Sequence, residues 1–231
     1  MKRAALLLFL ALSVIAVPAF AQSDIFLLGF SGFDYESPNS VPGTYLAPGE
    51  GYNTLGFVTS FGAYLAPHVN STLNEYTYQY YNLTVDADYW DGTNLMVMFI
   101  NPGRGRFFED SRATGTAAVY GTYPPNANVP SRFIDGTLIL GGRIDDLFLT
   151  YDYNPLAPQG SFVGSLTLDE GTLLGYIPLN QRAGWTIAGL AGQPNPSVPD
   201  GYDHQISGEV RIPGSVPAVH RTWGALKALY R

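Results

Sequence analysis

The chain contains no cysteine among its 231 residues. This absence excludes a disulfide framework, a thiolate metal site, a cysteine nucleophile and the lipid anchor that bacterial lipoproteins carry on a cysteine. A fold without cross-links depends on a sizeable hydrophobic core, which a chain of this length can build.

Positive charge is also scarce. Lysine occurs only at Lys2 and Lys227, and the chain has 12 Lys+Arg against 19 Asp+Glu. An acidic surface of this kind offers no basic face to nucleic acid or to anionic lipid. We therefore predict that no nucleic acid is a partner.

Long hydrophobic runs are confined to the N-terminus. Residues 1–21 have the parts of a secretory signal peptide: a charged start, an apolar stretch over Ala4–Val17 and a small-x-small cleavage site at Ala19–Ala21. No later run approaches the length that a helix needs to cross a bilayer. We expect an exported protein with no transmembrane span in the mature chain, located in the periplasm, on the cell surface or in the medium.

Turn formers and aromatic residues are abundant instead. The chain has 26 glycines and 17 prolines spread along its length, and 14% of its residues are aromatic. Short alternating segments separated by such residues indicate an all-β protein. Their spacing suits a sandwich or a barrel, and we predict an antiparallel β-sandwich, jelly-roll-like, over residues 22–212.

The stretch Asn74–Ile100 organises this predicted fold. It holds two extended segments around Asp91-Gly92, a strong hairpin signal because both central residues of such a turn need a positive φ. The alternation of apolar side chains changes phase at Tyr80-Tyr81. This change predicts a bulge, or a strand that crosses between two sheets.

Polar residues around the same turn are the candidate metal site. They are Asp86, Asp88, Asp91 and Asn94. Calcium prefers several oxygen ligands from a turn, and Asp86 and Asp88 would share one face of a strand. The spacing differs from that of an EF-hand loop and lacks its final glutamate, so a solvated turn is the competing interpretation. No cofactor other than calcium is expected.

Aromatic residues at the tip of the hairpin are the candidate ligand-binding residues. Tyr89 and Trp90 are the aromatics that a hairpin tip would find hardest to bury. The other tyrosines mostly alternate along strands, where packing in the core is the simpler interpretation. Because sugars bind flat aromatic faces flanked by polar groups, the leading hypothesis is a non-catalytic protein that binds polysaccharide.

Signatures of catalysis are few. The chain has 3 histidines, no Gly-x-Ser-x-Gly segment, and no zinc-protease, phosphate-loop or dinucleotide motif. We predict no catalytic residue and expect His68 and His204 to form hydrogen bonds within loops. A polysaccharide hydrolase or lyase with paired carboxylates is the alternative, and a structural surface or matrix subunit is a third hypothesis. The acidic residues that could form such a pair are Glu75, Glu109, Asp110, Glu170 and Glu209.

The C-terminal end changes from strand spacing to helical spacing. A proline- and glycine-rich linker, 213–219, precedes a short amphipathic cationic tail, 220–231. A helix this short needs a binding surface, so the tail either docks on its own domain or serves as a sorting tag. The residues through which a tag would be recognised are Trp223, Lys227, Tyr230 and Arg231.

The ending Thr-Trp-Gly-x-x-Lys-x-x-Tyr-Arg, residues 222–231, resembles the tails of exported proteins from some bacterial lineages. The rest of the chain, including Asn74–Tyr78 and Gly201–Gln205, resembles uncharacterised secreted β-rich bacterial proteins. The tail differs from an exosortase-type signal, because Val216-Pro217 lacks the following Glu-Pro and no membrane span follows. The resemblance implies export and delivery to the surface, with an export or attachment machinery as partner, and it implies no site.

Overall fold

The protein is all-β over the residues that its computed structural model describes. These residues are 24–37, 48–90, 94–99, 102–121, 130–152, 159–192 and 198–212. At 37, 90, 94–99, 130 and 131 only the backbone is described. The strands are β1 Ile25–Ser37, β2 Gly51–Phe61, β3 Asn74–Trp90, β4 Asn94–Phe99, β5 Gly103–Ser111, β6 Thr137–Asp152, β7 Gln159–Glu170, β8 Trp185–Ala191 and β9 Gln205–Ile212. Short 3-10 turns lie at Ala66–His68, Pro130–Phe133, Leu174–Tyr176 and Leu179–Gln181. No helix in these ranges has the length and apolar character needed to cross a bilayer.

The strands form a closed antiparallel barrel. Each strand pairs with a neighbour on both sides, and β1 pairs with β9 from Ile25↔Ile212 to Phe33↔Gln205, which closes the ring. β4 and β5 lie end to end between β3 and β6 and share one position, so the barrel has 8 strand positions. The predicted jelly-roll-like sandwich is therefore wrong. The strands follow one another around a single ring, whereas a jelly roll divides them between two sheets.

Bulges bend the long strands enough for the ring to close. In β3 the bulge lies at Tyr81-Asn82, where Asn82 is the one non-glycine residue of the described ranges with a positive φ, 57°. The bulge predicted from the phase change is confirmed. Because of the extra residue, Tyr80 and Leu83 both belong to the interior core, while Tyr81 lies half-buried on the outer face.

The interior of the barrel is a packed apolar core. Its middle is filled by the aromatic rings of Phe30, Tyr78, Tyr80, Phe107 and Phe162, whose contacting centroids are 4.9 to 6.5 Å apart. Glycine on the neighbouring strand makes room for these rings, since a β-carbon on Gly208, the β9 residue paired with Phe30, would lie 2.8 Å from the Phe30 ring. The outward positions of β7 and β9 are mostly polar. This is the arrangement of a small barrel filled by its own side chains.

A second, smaller core covers the outer face of β1, β2 and β3. Its members come from β1, from β2 and from the β5–β6 and β8–β9 connections, and they include Phe33, Tyr35, Leu55, Phe57, Ala118, Tyr120, Phe133, Val198 and Tyr202. Phe133 is fully buried, and its carbonyl oxygen accepts a hydrogen bond of 2.7 Å from Oγ1 of Thr77. The two connections therefore act as a fixed cover on one side of the barrel.

The lower end of the barrel, where β1 begins and β9 finishes, is closed by its connections. Leu65 and Ile177, which flank the 3-10 turns, are buried in the interior core. The indole Nε1 of Trp185 donates a hydrogen bond of 2.6 Å to the carbonyl oxygen of Gln181. The upper end is formed by the end of β1, the start of β2 and the residues before β9.

Several predicted segments lie outside the described residues. These are the signal peptide 1–21, the linker 213–219 and the tail 220–231, with Trp223, Lys227, Tyr230 and Arg231. The boundaries drawn for them, and the helical conformation of the tail, stay predictions. The barrel itself lies within one compact unit, Ile25–Pro213.

Candidate functional site

A groove of about 700 Å3 lies on the outer wall of the barrel, over β1, β8, β9 and the end of β2. Its lining includes small residues from three strands: Gly29 and Ser31 of β1, Ala188 of β8 and Ser207 of β9. Small side chains on neighbouring strands leave the sheet surface low, and this produces the depression. The floor of the groove therefore coincides with the β1–β9 seam that closes the barrel.

The sides of the groove differ in chemistry. Thr59 and Ser60 present hydroxyl groups from β2, and Leu190 of β8 is 63% exposed. Gly29 leaves room for the hydroxyl groups, because a β-carbon there would lie 2.7 Å from Oγ of Ser60 and 3.2 Å from Oγ1 of Thr59. The groove thus offers hydroxyl groups along one side and an apolar side chain on the other.

An aromatic and charged group lies toward the lower end of the groove. The guanidinium of Arg211 lies 5.2 Å from the centroid of the Phe26 ring, in cation–π range. Arg211 also pairs with Glu209 on the same strand, and this hydrogen bond lowers the pKa of the Glu209 carboxyl. The one carboxylate among the described lining residues is thus held ionised by an arginine, which suits recognition better than proton transfer.

The predicted sugar-binding tip is described in part. Tyr89 is 58% exposed at the end of β3, as expected of a side chain at the tip. The side chain of Trp90 lies outside the described residues, so a platform formed by the two stays a prediction. The alternating tyrosines Tyr76, Tyr78 and Tyr80 are buried core residues.

The predicted calcium site is also described in part. Asp86 and Asp88 are exposed on the outer face of β3. Asp91 and the side chain of Asn94 lie outside the described residues, so the full set stays a prediction. Within the described part of the chain, no group of three or more histidine and acidic side chains is placed to hold a metal ion.

Of the acidic residues considered for catalysis, the structure brings two together. Glu75 and Asp110 are directly opposite in the β3–β5 register, and both line a cavity of about 140 Å3 together with Arg112. Both side chains also contact the loop that follows β5. Oε1 of Glu75 accepts a hydrogen bond of 2.7 Å from the backbone N–H of Ala118, and the Asp110 carboxylate lies beside Gly115.

Glu170 has a structural role on the outer wall. Its carboxylate accepts hydrogen bonds from Arg106 at 2.9 Å and from Arg104 at 2.5 Å, and Arg104 makes two further bonds with Asp169 at 2.7 and 3.0 Å. The hydrogen bond from Arg106, reinforced by Arg104, lowers the pKa of Glu170. These contacts join β5 to β7 across β6. Glu109 is engaged elsewhere, as acceptor of the Tyr76 hydroxyl at 2.5 Å.

A buried acid–histidine pair was missed by sequence reasoning. Asp34 is 1% exposed, and its carboxylate contacts His204 and the hydroxyl of Tyr52. His204 was expected to form a hydrogen bond within its loop, but its partner lies on β1. The available signal was an acidic residue four positions after Phe30, on the same inward-facing side of β1. His68 stacks on the ring of Tyr176, with centroids 3.5 Å apart.

No family model, curated protein or solved structure matches this chain. Among the described residues, three places carry chemistry: the outer groove, the Glu75–Asp110 cavity and the Asp34–His204 pair.

Proposed function

We propose that this protein is an exported, non-catalytic binding protein that holds a polysaccharide chain in its outer groove. The observation that carries the proposal is the groove itself, with its low floor at Gly29 and Ser31 and its hydroxyl groups at Thr59 and Ser60. Sugar units present hydroxyl groups and apolar C–H faces. The hydroxyl side of the groove complements the first, and the half-buried ring of Phe26 and the exposed side chain of Leu190 complement the second.

The shape of the groove favours a polymer over a small molecule. Pockets for small molecules enclose most of the ligand surface. This groove is open to solvent along the barrel wall, so one side of a bound chain stays in water. The formal net charge of −7 disfavours an acidic ligand, so the proposed class is a neutral polysaccharide.

The upper rim of the barrel at the end of β3 supplies a second contact in this proposal. Tyr89 is exposed there, beside Asp86 and Asp88 on the same strand. Calcium held by these carboxylates together with Asp91 and Asn94 would order the rim. Export, a surface location and recognition of the tail by an attachment machinery belong to the same proposal, supported by the signal-like residues 1–21 and by the tail sequence.

The test is retention of the mature chain on immobilised neutral polysaccharides. Thr59→Trp places a large side chain in the groove, at an exposed position that leaves the core unchanged. Thr150→Trp is the matched control, because Thr150 is equally exposed on the outer face of β6 and does not line the groove. We expect the first variant to lose retention and the second to keep it. Equal retention of both variants would exclude the groove, and no retention of the wild type would exclude the function.

The same assay separates the rim from the groove. Tyr89→Ala and Trp90→Ala would weaken retention only if the rim contacts the polysaccharide. Runs with calcium and with a chelator test the metal: a chelator effect that Asp88→Asn abolishes would assign calcium to the rim. Retention that is the same with calcium and with chelator would identify the acidic residues as turn formers.

A hydrolase or lyase is the second candidate, favoured by one observation. Glu75 and Asp110 face each other across the β3–β5 pairing, where β-carbons are about 5 Å apart, and glycosidases use two carboxylates at short range. Release of reducing or unsaturated sugar by the wild type, and its loss in Glu75→Gln and Asp110→Asn, would establish this activity.

A structural subunit assembled through strand edges is disfavoured, because every described strand is paired on both sides.

A further inference from the structure

The barrel closes where its first and last strands meet, and the upper end of this seam is tied by one pair of residues. Beyond the last regular pair, the N–H of Asp34 donates to the carbonyl oxygen of His204 at 3.1 Å, and the N–H of Asp203 donates to the carbonyl oxygen of Asp34 at 3.0 Å. The Asp34 carboxylate adds two more bonds, accepting from the backbone N–H of His204 at 2.5 Å and contacting its Nδ1 at 3.1 Å. Backbone and side-chain bonds thus converge on Asp34, from His204 and its neighbour Asp203.

The pair lies inside the barrel. The side chain of Asp34 is 2% exposed and that of His204 is 14% exposed. The hydroxyl of Tyr52 donates to Oδ2 of Asp34 at 3.0 Å, and the ring of Tyr151 lies 4.5 Å from the His204 ring, reaching it from β6 on the other side of the barrel. The pair is therefore buried among aromatic rings and largely out of water, where charges interact strongly.

The charged groups around His204 favour its protonated form. Burial is the largest influence and by itself lowers the pKa of His204, but the carboxylates of Asp34, Asp203 and Glu36 outweigh it, so the pKa is raised above its ordinary value. The other titratable groups that face the pair are the phenols of Tyr52, Tyr78 and Tyr151. Burial raises the pKa of each of them, so they stay neutral near pH 7.

We propose that Asp34 and His204 form a pH-operated latch on the seam that closes the barrel. Protonated His204 holds the upper ends of β1 and β9 together. When it loses its proton, the buried carboxylate of Asp34 loses its counter-charge, and a buried unpaired charge is costly. Separation of the seam at its upper end lets water reach the carboxylate and relieves that cost.

The direction of the effect follows from linkage. A histidine whose pKa is raised by folding stabilises the folded state fully below its unfolded pKa, and this contribution is lost as the pH rises through the folded pKa. The seam is therefore closed most firmly in mildly acidic solution and opens more often in alkaline solution. For each unit by which folding raises the pKa of His204, the equilibrium constant for opening the seam increases about tenfold from acidic to alkaline solution.

Amide hydrogen exchange reads this opening directly, because the N–H groups of Asp34, Asp203 and His204 form the seam bonds. Protection factors, corrected for intrinsic exchange, are compared at about pH 5.5 and about pH 8.5, on either side of the histidine range. We expect protection at these amides to fall at the higher pH. Protection in the β6–β7 pairing, on another wall, should change less.

Variants separate the latch from other effects of pH. His204→Gln removes the titration and should make seam protection independent of pH. His68→Gln is the matched control, because His68 is exposed and contacts Tyr176 at the lower end of the barrel, opposite the end that holds Asp34 and His204, and it should keep the wild-type change. A wild type without the change, or a His204→Gln variant that retains it, would overturn the proposal.

A measurement on the wild type keeps the test decisive if His204→Gln does not fold. A titration of the histidine rings by NMR should give His204 a pKa above that of a model peptide. Asp34→Asn should lower that pKa, since it removes the facing charge. A His204 pKa at or below the model value in the wild type contradicts the latch.

Discussion

The ring of Tyr80 lies against the backbone of Gly105, its paired position on the neighbouring strand of the barrel. A β-carbon on Gly105 would come within 3.1 Å of two ring carbons. The ring cannot move aside easily, because it is 2% exposed and packs edge-on against Phe30 and Phe107 at 5.4 and 6.1 Å. The packed interior therefore leaves no room for a side chain at position 105.

Gly105→Ala should lower the free energy of unfolding by about 1–3 kcal/mol, the usual cost of an added methyl group in a packed core. Urea unfolding of a chain that begins at residue 22 measures the change. Gly175→Ala is the control, because a β-carbon there has no heavy atom within 4 Å. If the two variants are equally stable, the Tyr80 ring is not held as described.

The outer cover should depend on one side chain. Phe133 is fully buried against Phe57 and Tyr120, with ring centroids 5.3 and 5.0 Å away. Phe133→Ala should cost about 3–5 kcal/mol and release the β5–β6 connection to limited proteolysis. The adjacent Ile134, which is 39% exposed, provides the control, since Ile134→Ala should leave both stability and cleavage nearly unchanged. Cleavage that is unaffected by Phe133→Ala would show that the cover is held elsewhere.

The arginine–carboxylate group on the outer wall should contribute stability that depends on pH. Folding lowers the pKa of Glu170. The ionised carboxylate therefore stabilises the folded state above the pKa that Glu170 has in the unfolded chain, and this stabilisation is lost as the pH falls through its pKa in the folded protein. Glu170→Gln should cost about 1 kcal/mol near pH 7, because the pair is partly exposed, and progressively less in acid. Glu209→Gln, whose pair with Arg211 lies within one strand, should cost less because it joins no second strand. Thermal unfolding at several pH values tests both, and a loss that persists at low pH would contradict the assignment.

Local features of the fold were predictable because they leave local patterns. The bulge in β3 follows from the change of phase at Tyr80-Tyr81, and the half-buried strand β9 follows from the alternation of Ile206, Val210 and their polar neighbours. These patterns record which side of a strand faces apolar surroundings. They carry no information about which strand lies alongside.

The sequence patterns predicted a sandwich instead of a barrel because they do not show which strands are neighbours. Closure of the barrel depends on pairing between Ile25 and Ile212, at opposite ends of the described chain, and both strands alternate as the strands of a sandwich would. The same limit applies to the sites. Gly29, Ala188 and Ser207 form a groove only because three distant strands are neighbours, and Asp34 meets His204 only across the seam.

The pairing of Ile25 with Ile212 also gives the barrel a circular order. Every connection joins strands that are neighbours, except that between β4 and β5, which share one position. A short linker from 212 to 25 would therefore turn the seam into one more hairpin at the lower end. New termini could then be placed in the β6–β7 connection without changing any strand's partners. In such a circular permutant the Asp34–His204 contact would join two covalently linked strands, and the barrel would close elsewhere.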